Sequence, residues 1–433
     1  MPRSETVLTK QERIAKLSRN APNMSFQSLN QYLTIEWLEE AYHRTRHDGA
    51  VGIDGVTAKE YEANLRTNLQ RLLDKAKSGS YLAPPVKRGY IPKGGKGNEF
   101  REIGIPTFED KLLQRAIAMI LEPIYEQDFF PCSYGFRPRI SAHNCIKAIR
   151  DTLYDWRGGH VIDADIRKYF DSIDKTKMRS FLDKRVRDGV IRRLIDKWLA
   201  AGVMEDGQVQ YRETGTVQGG VISPILSNIY LHYVLDHWFT TIVKPGRRAD
   251  AKLFRMADDF VIICKNKIDA DSIMDVLPKR FARFGLAIHP EKTKQLEFLK
   301  PQKGQGRPPT FNFLGFSFYW GKTRKGGYTV KLKTARDRFK RSVRKIFELC
   351  RAKRHLPIKE QRKKINEVLV GTYNYYGVSF NYRALSKLYV SAMKSWHYWL
   401  NRRSERRDMP WKRFNDVLRF LPLCLPTIKV ALF

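Results

Sequence analysis

The sequence predicts an α+β fold in which helices and antiparallel strands are mixed along one chain. Three observations lead there. Short apolar, strand-like runs bracketed by glycine-containing or polar turns occur near 81–107, 160–166, 254–264 and 311–320. Helical spacing of apolar residues fills most of the intervals between them. From about Thr334 onward the chain turns basic and helical.

Taken in order, residues 1 to about 60 read as a polar leader followed by a helix over 35–47, and GAVGIDGV (49–56) as a glycine-punctuated loop. Helical spacing resumes over 61–76. Two short extended runs around a Gly/Lys-rich turn predict a hairpin in YLAPPVKRGYIPKGGKGNEFREIGIPT (81–107). A helix is expected over 110–125, a loop at SYGFRP (133–138) and another helix over 142–153. HVIDADIRKYFDSI (160–173) alternates as a strand up to about Ile166 and then turns, with helices following to about Leu199. TVQGGVISPILSNIYLHYVLDHWF (216–239) opens as a glycine turn and continues as a long apolar helix. After FRMADDFVIIC a helix is expected over 270–284. AIHPEKTKQLEFL and FNFLGFSFYW follow as strands, and then the basic helices with their aromatic clusters YNYYG (373–377) and WHYWL (396–400).

A chain of 433 residues, 42% hydrophobic, has enough material for two or three domains and a sizeable core. Its formal charge of +35 opposes compaction by self-repulsion, and a polyanionic partner is the natural explanation. The excess is concentrated. Residues 321–433 hold 29 Lys+Arg against 7 Asp+Glu, a net +22, whereas the first 320 residues carry a net +13. A solubilising surface would mix both signs. Five cysteines with no CxxC pairing point to neither a disulfide framework nor a zinc site. No stretch of about 18 apolar residues occurs. A reduced, cytoplasmic protein with no membrane partner is the expectation.

The chemistry concentrates in acids. In FRMADDFVIIC (254–264), Asp258 and Asp259 interrupt an apolar run, where unpaired carboxylates would cost several kcal/mol. DAD (163–165) ends another predicted strand. If the two strands are neighbours, Asp165 and Asp258 could share two divalent cations. Metal charge would offset the clustered carboxylates, and two such ions about 3.5–4 Å apart activate an attacking hydroxyl and stabilise a leaving pyrophosphate.

The ordered set RGYIPKGGKGNEFREIGIPTFEDKLLQ, YGFRP, DADIRKYFDSI, VQGGVISPILSNIYL, FRMADDFVII, HPEKT and FLGF resembles the reverse transcriptases encoded by group II introns. The resemblance runs from about residue 45 through the basic C-terminal region. It implies a right-hand polymerase: an N-terminal extension (1–60), fingers (61–160), a palm with an interleaved fingers segment (161–320) and a helical thumb/maturase domain (321–433). It implies an RNA-directed DNA polymerase with maturase activity. Mg²⁺ would be the metal, two per site with Mn²⁺ able to substitute. The partners would be intron RNA as template, a DNA or RNA primer, dNTPs and target DNA; a homodimer stays open.

Carried over position by position, Asp165, Asp258 and Asp259 match the palm carboxylates. Asp165, Asp258 and the main-chain carbonyl of Ile166 would be the metal ligands. Phe170 matches the position beneath the sugar, where a bulky ring excludes a 2′-hydroxyl. Lys93 and Arg101 flank the fingers turn and match residues gripping the incoming triphosphate. Gln218 and Gly219 match the nucleotide-pocket turn, Lys292 a general acid for the leaving pyrophosphate, and Leu314 and Gly315 the primer-grip turn. Basic runs such as KTARDRFKRSVRKIF would contact phosphates. Among the tail aromatics, Tyr373, Tyr375, Tyr376, Trp396, Tyr398, Trp399 and Trp411 read mainly as core between helices. The chain departs from the family's usual pattern at Met256 (often Tyr), at Val217 (often Pro) and at Glu102-Ile103 (often Pro-Leu). A domesticated enzyme in defence or repair, a non-catalytic splicing maturase and an RNA-dependent RNA polymerase are the competing readings. Retained acids argue against the second, and Phe170 against the third.

Overall fold

A computed structural model describes residues 6–92, 100–205, 208–211, 219–302, 309–403 and 409–432. The chain forms α1 (Val7–Asn20), α2 (Ile35–Arg44), α3 (Ala58–Glu62), α4 (Leu65–Ser78), β1 (Val86–Pro92), β2 (Phe100–Ile105), α5 (Phe108–Asp128), α6 (Ala142–Asp155), β3 (His160–Ala164), α7 (Lys175–Asp183) and α8 (Gly189–Ala200). It continues through β4 (Val203–Glu205), β5 (Gln208–Gln210), α9 (Ser223–Leu231), β6 (Ala251–Met256), β7 (Asp259–Cys264), α10 (Lys267–Ala282), β8 (Lys294–Glu297), β9 (Phe311–Phe313), β10 (Phe316–Lys322) and β11 (Tyr328–Thr334). Four helices close it: α11 (Arg336–Ala352), α12 (Ile358–Tyr376), α13 (Tyr382–Leu400) and α14 (Trp411–Phe420). The α+β class is as the sequence predicts.

The chain divides into two compact units, each discontinuous in sequence: residues 1–141 with 162–295, and residues 142–161 with 296–433. The first unit is organised around α5, whose Leu112, Ile117, Ile120 and Ile124 are all fully buried. Thr107 caps its start by accepting from the Asp110 amide. Two stretches not anticipated from sequence belong here. In the polar leader, α1 buries only Ile14 and Ser18, and the Ser18 hydroxyl donates to the Ile124 carbonyl. Its narrow apolar stripe is why composition alone reads as a leader. Strands β4 and β5 are three residues each and extend the β1–β2 hairpin into a sheet of order β2-β1-β4-β5, β4 running parallel to β1.

The sheet that matters for chemistry has the order β6-β7-β3-β8. Strands β6 and β7 form a two-residue hairpin in register Met256↔Asp259, with Phe260, Val261, Ile262, Ile263 and Cys264 all buried. In the second unit, β9, β10 and β11 form a meander whose third strand the sequence did not flag. Its alternation of buried Val330, Leu332 and Thr334 with more exposed lysines runs into the basic helical stretch and is masked by it. Ile346, Leu369, Leu388, Trp396 and Phe414 make this unit's helical core. No helix among the described residues is long and apolar enough to cross a membrane.

Candidate active site

The turn between β6 and β7 consists of Ala257 and Asp258. Ala257 has φ +60°, and its neighbour stays on the negative side, the pattern of a type II′ turn. Glycine is the usual occupant of that first position. An alanine there stores strain of order 1–3 kcal/mol, which persists only where the surroundings impose it. The turn lifts Asp258, half-buried, out of the apolar hairpin, and Asp259 begins β7 with its side chain exposed.

Because β3 is the neighbour of β7, the DAD acids come to the same sheet as the ADD acids. Asp163 lies within β3 and Asp165 follows its end. Burial, then the charges of Asp259 and Asp165, push the Asp163 carboxyl up to about 7. The Asp258 carboxyl is also raised, first by burial and then by Asp165. Arg101, on β2, opposes that rise, which places a cation of the β1–β2 hairpin within electrostatic reach of Asp258. Asp163 and Asp258, raised by burial and by the carboxylates beside them, mark a site built for positive charge.

One positive charge is already there. Lys292 donates from Nζ to Asp165 Oδ2 at 2.7 Å while remaining largely exposed. The Asp165 carbonyl accepts from His289 N at 2.8 Å, and Arg167 N donates to the Ala287 carbonyl at 2.8 Å. These bonds flank the Ile166–Ile288 bridge, so the Ile166 carbonyl is turned away from the 287–289 segment. Among the described residues, no group of three or more His, Cys, Asp or Glu side chains could hold a metal on its own. Two carboxylates and a main-chain carbonyl are nevertheless the donor set that suits Mg²⁺ in phosphoryl transfer, where phosphates and water complete the shell. The ammonium on Asp165 shows that the position accepts a cation.

Phe170 sits in a single 3₁₀ turn, Tyr169–Ser172, entered through Lys168 at φ +45°. It packs half-buried on the core beside Tyr169, whose hydroxyl donates to the Ser227 carbonyl at 2.7 Å. Gly219 has φ +117°, and a Cβ there would lie 2.5 Å from the Gly104 carbonyl of β2. That contact seats the Gly219 turn against the β1–β2 hairpin and admits only glycine. Lys93 and Gln218 lie outside the described residues. Leu314 and Gly315 belong to the second unit. They form the β9–β10 turn with φ of +49° and +78°, held by Tyr375, whose hydroxyl donates to the Leu314 carbonyl at 2.9 Å. Tyr373 and Trp396 are core, whereas Tyr398 and Trp411 remain partly exposed.

Sequence reading missed what lies behind the acids. Arg255, two residues before the first turn residue Ala257, is fully buried in β6 and bonded to Asp236 and Asn228. The signal was available: a guanidinium inside an apolar strand has to be paired.

Residues 91–318 match the family described as reverse transcriptase (RNA-dependent DNA polymerase). The chain is 35% identical over 287 residues to protein YkfC of Escherichia coli, covering 59% of this chain and 75% of that protein. It is 31% identical over 295 residues to the group II intron-encoded protein LtrA of Lactococcus lactis, covering 68% of this chain and 44% of LtrA. Nuclear intron maturase 1, mitochondrial, of Arabidopsis thaliana is 32% identical over 107 residues, or 24% of this chain and 14% of that protein. This chain thus spans under half the length of LtrA. A turn presenting paired acids, a second acid on the neighbouring strand and these likenesses together place the chain among the reverse transcriptases of the group II intron and maturase type.

Proposed function

We propose that this chain extends a primer 3′-hydroxyl with deoxynucleotides on an RNA template and binds structured intron RNA as a maturase. The observation that carries the reading is the Ala257–Asp258 turn, on the strand pair that neighbours β3, with Asp165 directly after the end of β3. Reverse transcriptases use divalent metals. Here Asp165, Asp258 and the Ile166 carbonyl would hold two ions, Mg²⁺ or in its place Mn²⁺, which when bound supply charge stabilisation at the attacking and leaving oxygens.

The remaining steps belong to the chain's own groups. The 3′-hydroxyl gives up its proton to solvent and its oxygen forms a bond to the α-phosphorus as the bond from that phosphorus to the bridging oxygen breaks, releasing pyrophosphate. Asp259 adds negative charge behind the site. Lys292, whose Nζ lies 2.7 Å from Asp165, gives a proton to the departing pyrophosphate in this reading. Arg101, with Lys93, neutralises the triphosphate. The Phe170 ring excludes a ribose 2′-hydroxyl, and Gly219 and Gln218 shape the nucleotide pocket. In the second unit, Leu314 and Gly315 form the primer grip. A groove of about 680 Å³ lined by Asn312, Lys333, Arg336 and Lys387 supports phosphate contacts there.

Primer extension on an RNA template with dNTPs and Mg²⁺, comparing the protein with Asp258→Ala, is the test. Absence of synthesis by the unaltered chain refutes the polymerase reading; equal synthesis by the variant refutes the role of Asp258. If Asp258→Ala still promotes intron splicing, the maturase function is independent of the acids.

A further inference from the structure

Three stretches far apart in sequence, SYGFRP, SNIYLHYVLD and FRMADD, meet on one buried guanidinium. Arg255 has no exposed surface, and all five of its N–H donors are used. Nε and Nη2 form a fork onto Asp236, at 2.7 Å to Oδ1 and 2.5 Å to Oδ2. Nη1 donates to Asn228 Oδ1 at 3.0 Å and to the carbonyl of Ala257 at 3.1 Å. Nη2 also donates to Ser133 Oγ at 2.6 Å. Asn228 in turn donates to the Gly135 carbonyl at 2.6 Å. Asp236 is as fully buried as its partner.

The helix carrying Asn228 and Asp236 is adapted to this task. Directly after α9, residues His232–Asp236 form a π turn closed by a bond from His237 N to the His232 carbonyl. A π turn inserts one extra residue. Eight residues from Asn228 to Asp236 therefore rotate as about seven would in an α-helix, just under two turns of about 3.6 residues. Both side chains consequently reach the same face and the same guanidinium.

A buried ion pair is weak support for stability, because apolar residues of similar volume hold a core equally well. Its use here is read from where the remaining arm goes. The Ala257 carbonyl is the peptide that follows the positive-φ residue, and its orientation decides where Asp258 projects. The backing is steric as well. A Cβ on Gly135 would lie 2.2 Å from Ala257 N and 3.0 Å from its Cα, so the SYGFRP loop touches the turn main chain to main chain. Strand pairing adds bonds from Arg255 N to the Cys132 carbonyl and from Tyr134 N to the Arg255 carbonyl, both 2.8 Å.

We propose that Arg255 is a positioning residue for the catalytic turn: clamped by Asp236, Asn228 and Ser133, it holds the Ala257 carbonyl so that Asp258 is presented at a fixed place. The proposal rests on the assignment of Asp258 to the metal site made above.

The experiment compares Asn228→Ala and Arg255→Lys with the unaltered protein and with Leu72→Ala, a buried change in α4 that lowers stability away from the turn. Amide hydrogen exchange is followed in the 254–260 peptide, and binding of Mn²⁺ alone is followed by its electron paramagnetic resonance signal. Asn228→Ala is expected to speed exchange in 254–260 and to weaken Mn²⁺ binding by about tenfold each, the equivalent of one hydrogen bond to a charged group. Arg255→Lys should do so more strongly, and Leu72→Ala should leave Mn²⁺ binding within about twofold. kcat should fall while primer–template affinity holds. If Asn228→Ala exchanges and binds Mn²⁺ no differently from Leu72→Ala, the network is core packing only and the proposal is overturned. Should the Asn228 variant fail to fold, Ser133→Ala, which deletes one acceptor atom, gives the same comparison. Activity surviving in Asp258→Ala would refute the site assignment; a dead Asp258→Ala with a normal Asn228→Ala refutes the positioning role alone.

Discussion

Asp110 offers a pH-dependent test of how the turn at Gly219 is anchored. It lies in the first turns of α5, 2% exposed, and accepts from the Tyr81 hydroxyl, from Trp198 Nε1 at 2.7 Å and from Gln114 Nε2 at 3.0 Å. Gln114 Oε1 then accepts from Ile222 N at 3.2 Å, three residues beyond Gly219. Burial outweighs these bonds and pushes the Asp110 carboxyl from 3.8 up to about 6. A carboxyl raised in the folded state binds its proton more tightly there than in the unfolded chain. Its contribution is therefore fully present below about pH 4 and is lost as pH rises through about 6. Two pK units correspond to about 3 kcal/mol. Asp110→Asn cannot titrate, so the gap in unfolding free energy between the unaltered protein and the variant should shift by about 3 kcal/mol between pH 4 and pH 7, against the unaltered protein at the higher pH. Urea unfolding midpoints at half-unit pH steps measure it. The amide also brings a second NH₂ group into the chain of bonds, so either Gln114 or Tyr81 and Trp198 face a donor. If Gln114 flips to compensate, Ile222 N loses its acceptor, and the KM for dNTPs should rise by about fivefold, one hydrogen bond's worth. Parallel pH curves for the two proteins would falsify the raised carboxyl, and an unchanged KM would separate the turn from the Asp110 network.

Three other outcomes can be checked alongside. Phe170→Ala should increase ribonucleotide incorporation relative to dNTPs by about 10- to 200-fold, the range over which an apolar pocket discriminates small groups; an unchanged preference in competition assays counts against the steric gate. Gly219→Ala meets both a φ of +117° and the Gly104 carbonyl, so nucleotide KM should rise and the melting temperature should fall, by about 2–4 kcal/mol of stability in total. A variant with normal KM and stability would show that the turn has another conformation available. Ala257→Gly removes strain of about 1–3 kcal/mol at φ +60° at the cost of about 1 kcal/mol for a freer unfolded chain, and is expected to raise stability by up to about 2 kcal/mol. Its looser turn should nevertheless lower kcat, and an equal or higher kcat would show that the alanine imposes nothing useful.

The arrangement separates two kinds of constraint on the acids. Their mutual repulsion, visible in the raised Asp163 and Asp258 carboxyls, calls for a cation from outside the chain. The turn that carries Asp258 is backed by Arg255, Asp236, Asn228 and Ser133, all fully buried. Lys292, exposed on Asp165, stands between these classes. An exposed pair of this sort contributes little to stability.

Much of the fold was legible because its signals are local. The apolar run of FRMADDFVIIC and the glycine turn at 219 follow from the two-residue period of strands and from the φ range that turns require, whereas the turn at 315, inside a run that reads as strand, came from the family resemblance. The identity of the acids and the basic character of residues 321–433 were also settled by sequence, since charge is a property of composition. What sequence could not give were pairings between distant residues. Arg255 finds Ser133 at a separation of 122 positions and Asp236 at 19, and Gln114 finds Ile222 at 108. Short β4 and β5 carry too few residues to show a period, and α1 buries too narrow a stripe. The sequence by itself determined which side chains carry charge and which local turns could present them. Only the tertiary structure decided that one buried guanidinium unites three of the motifs, because the bond that fixes the turn depends on where the sheet and the π turn bring their residues, and no local period records that.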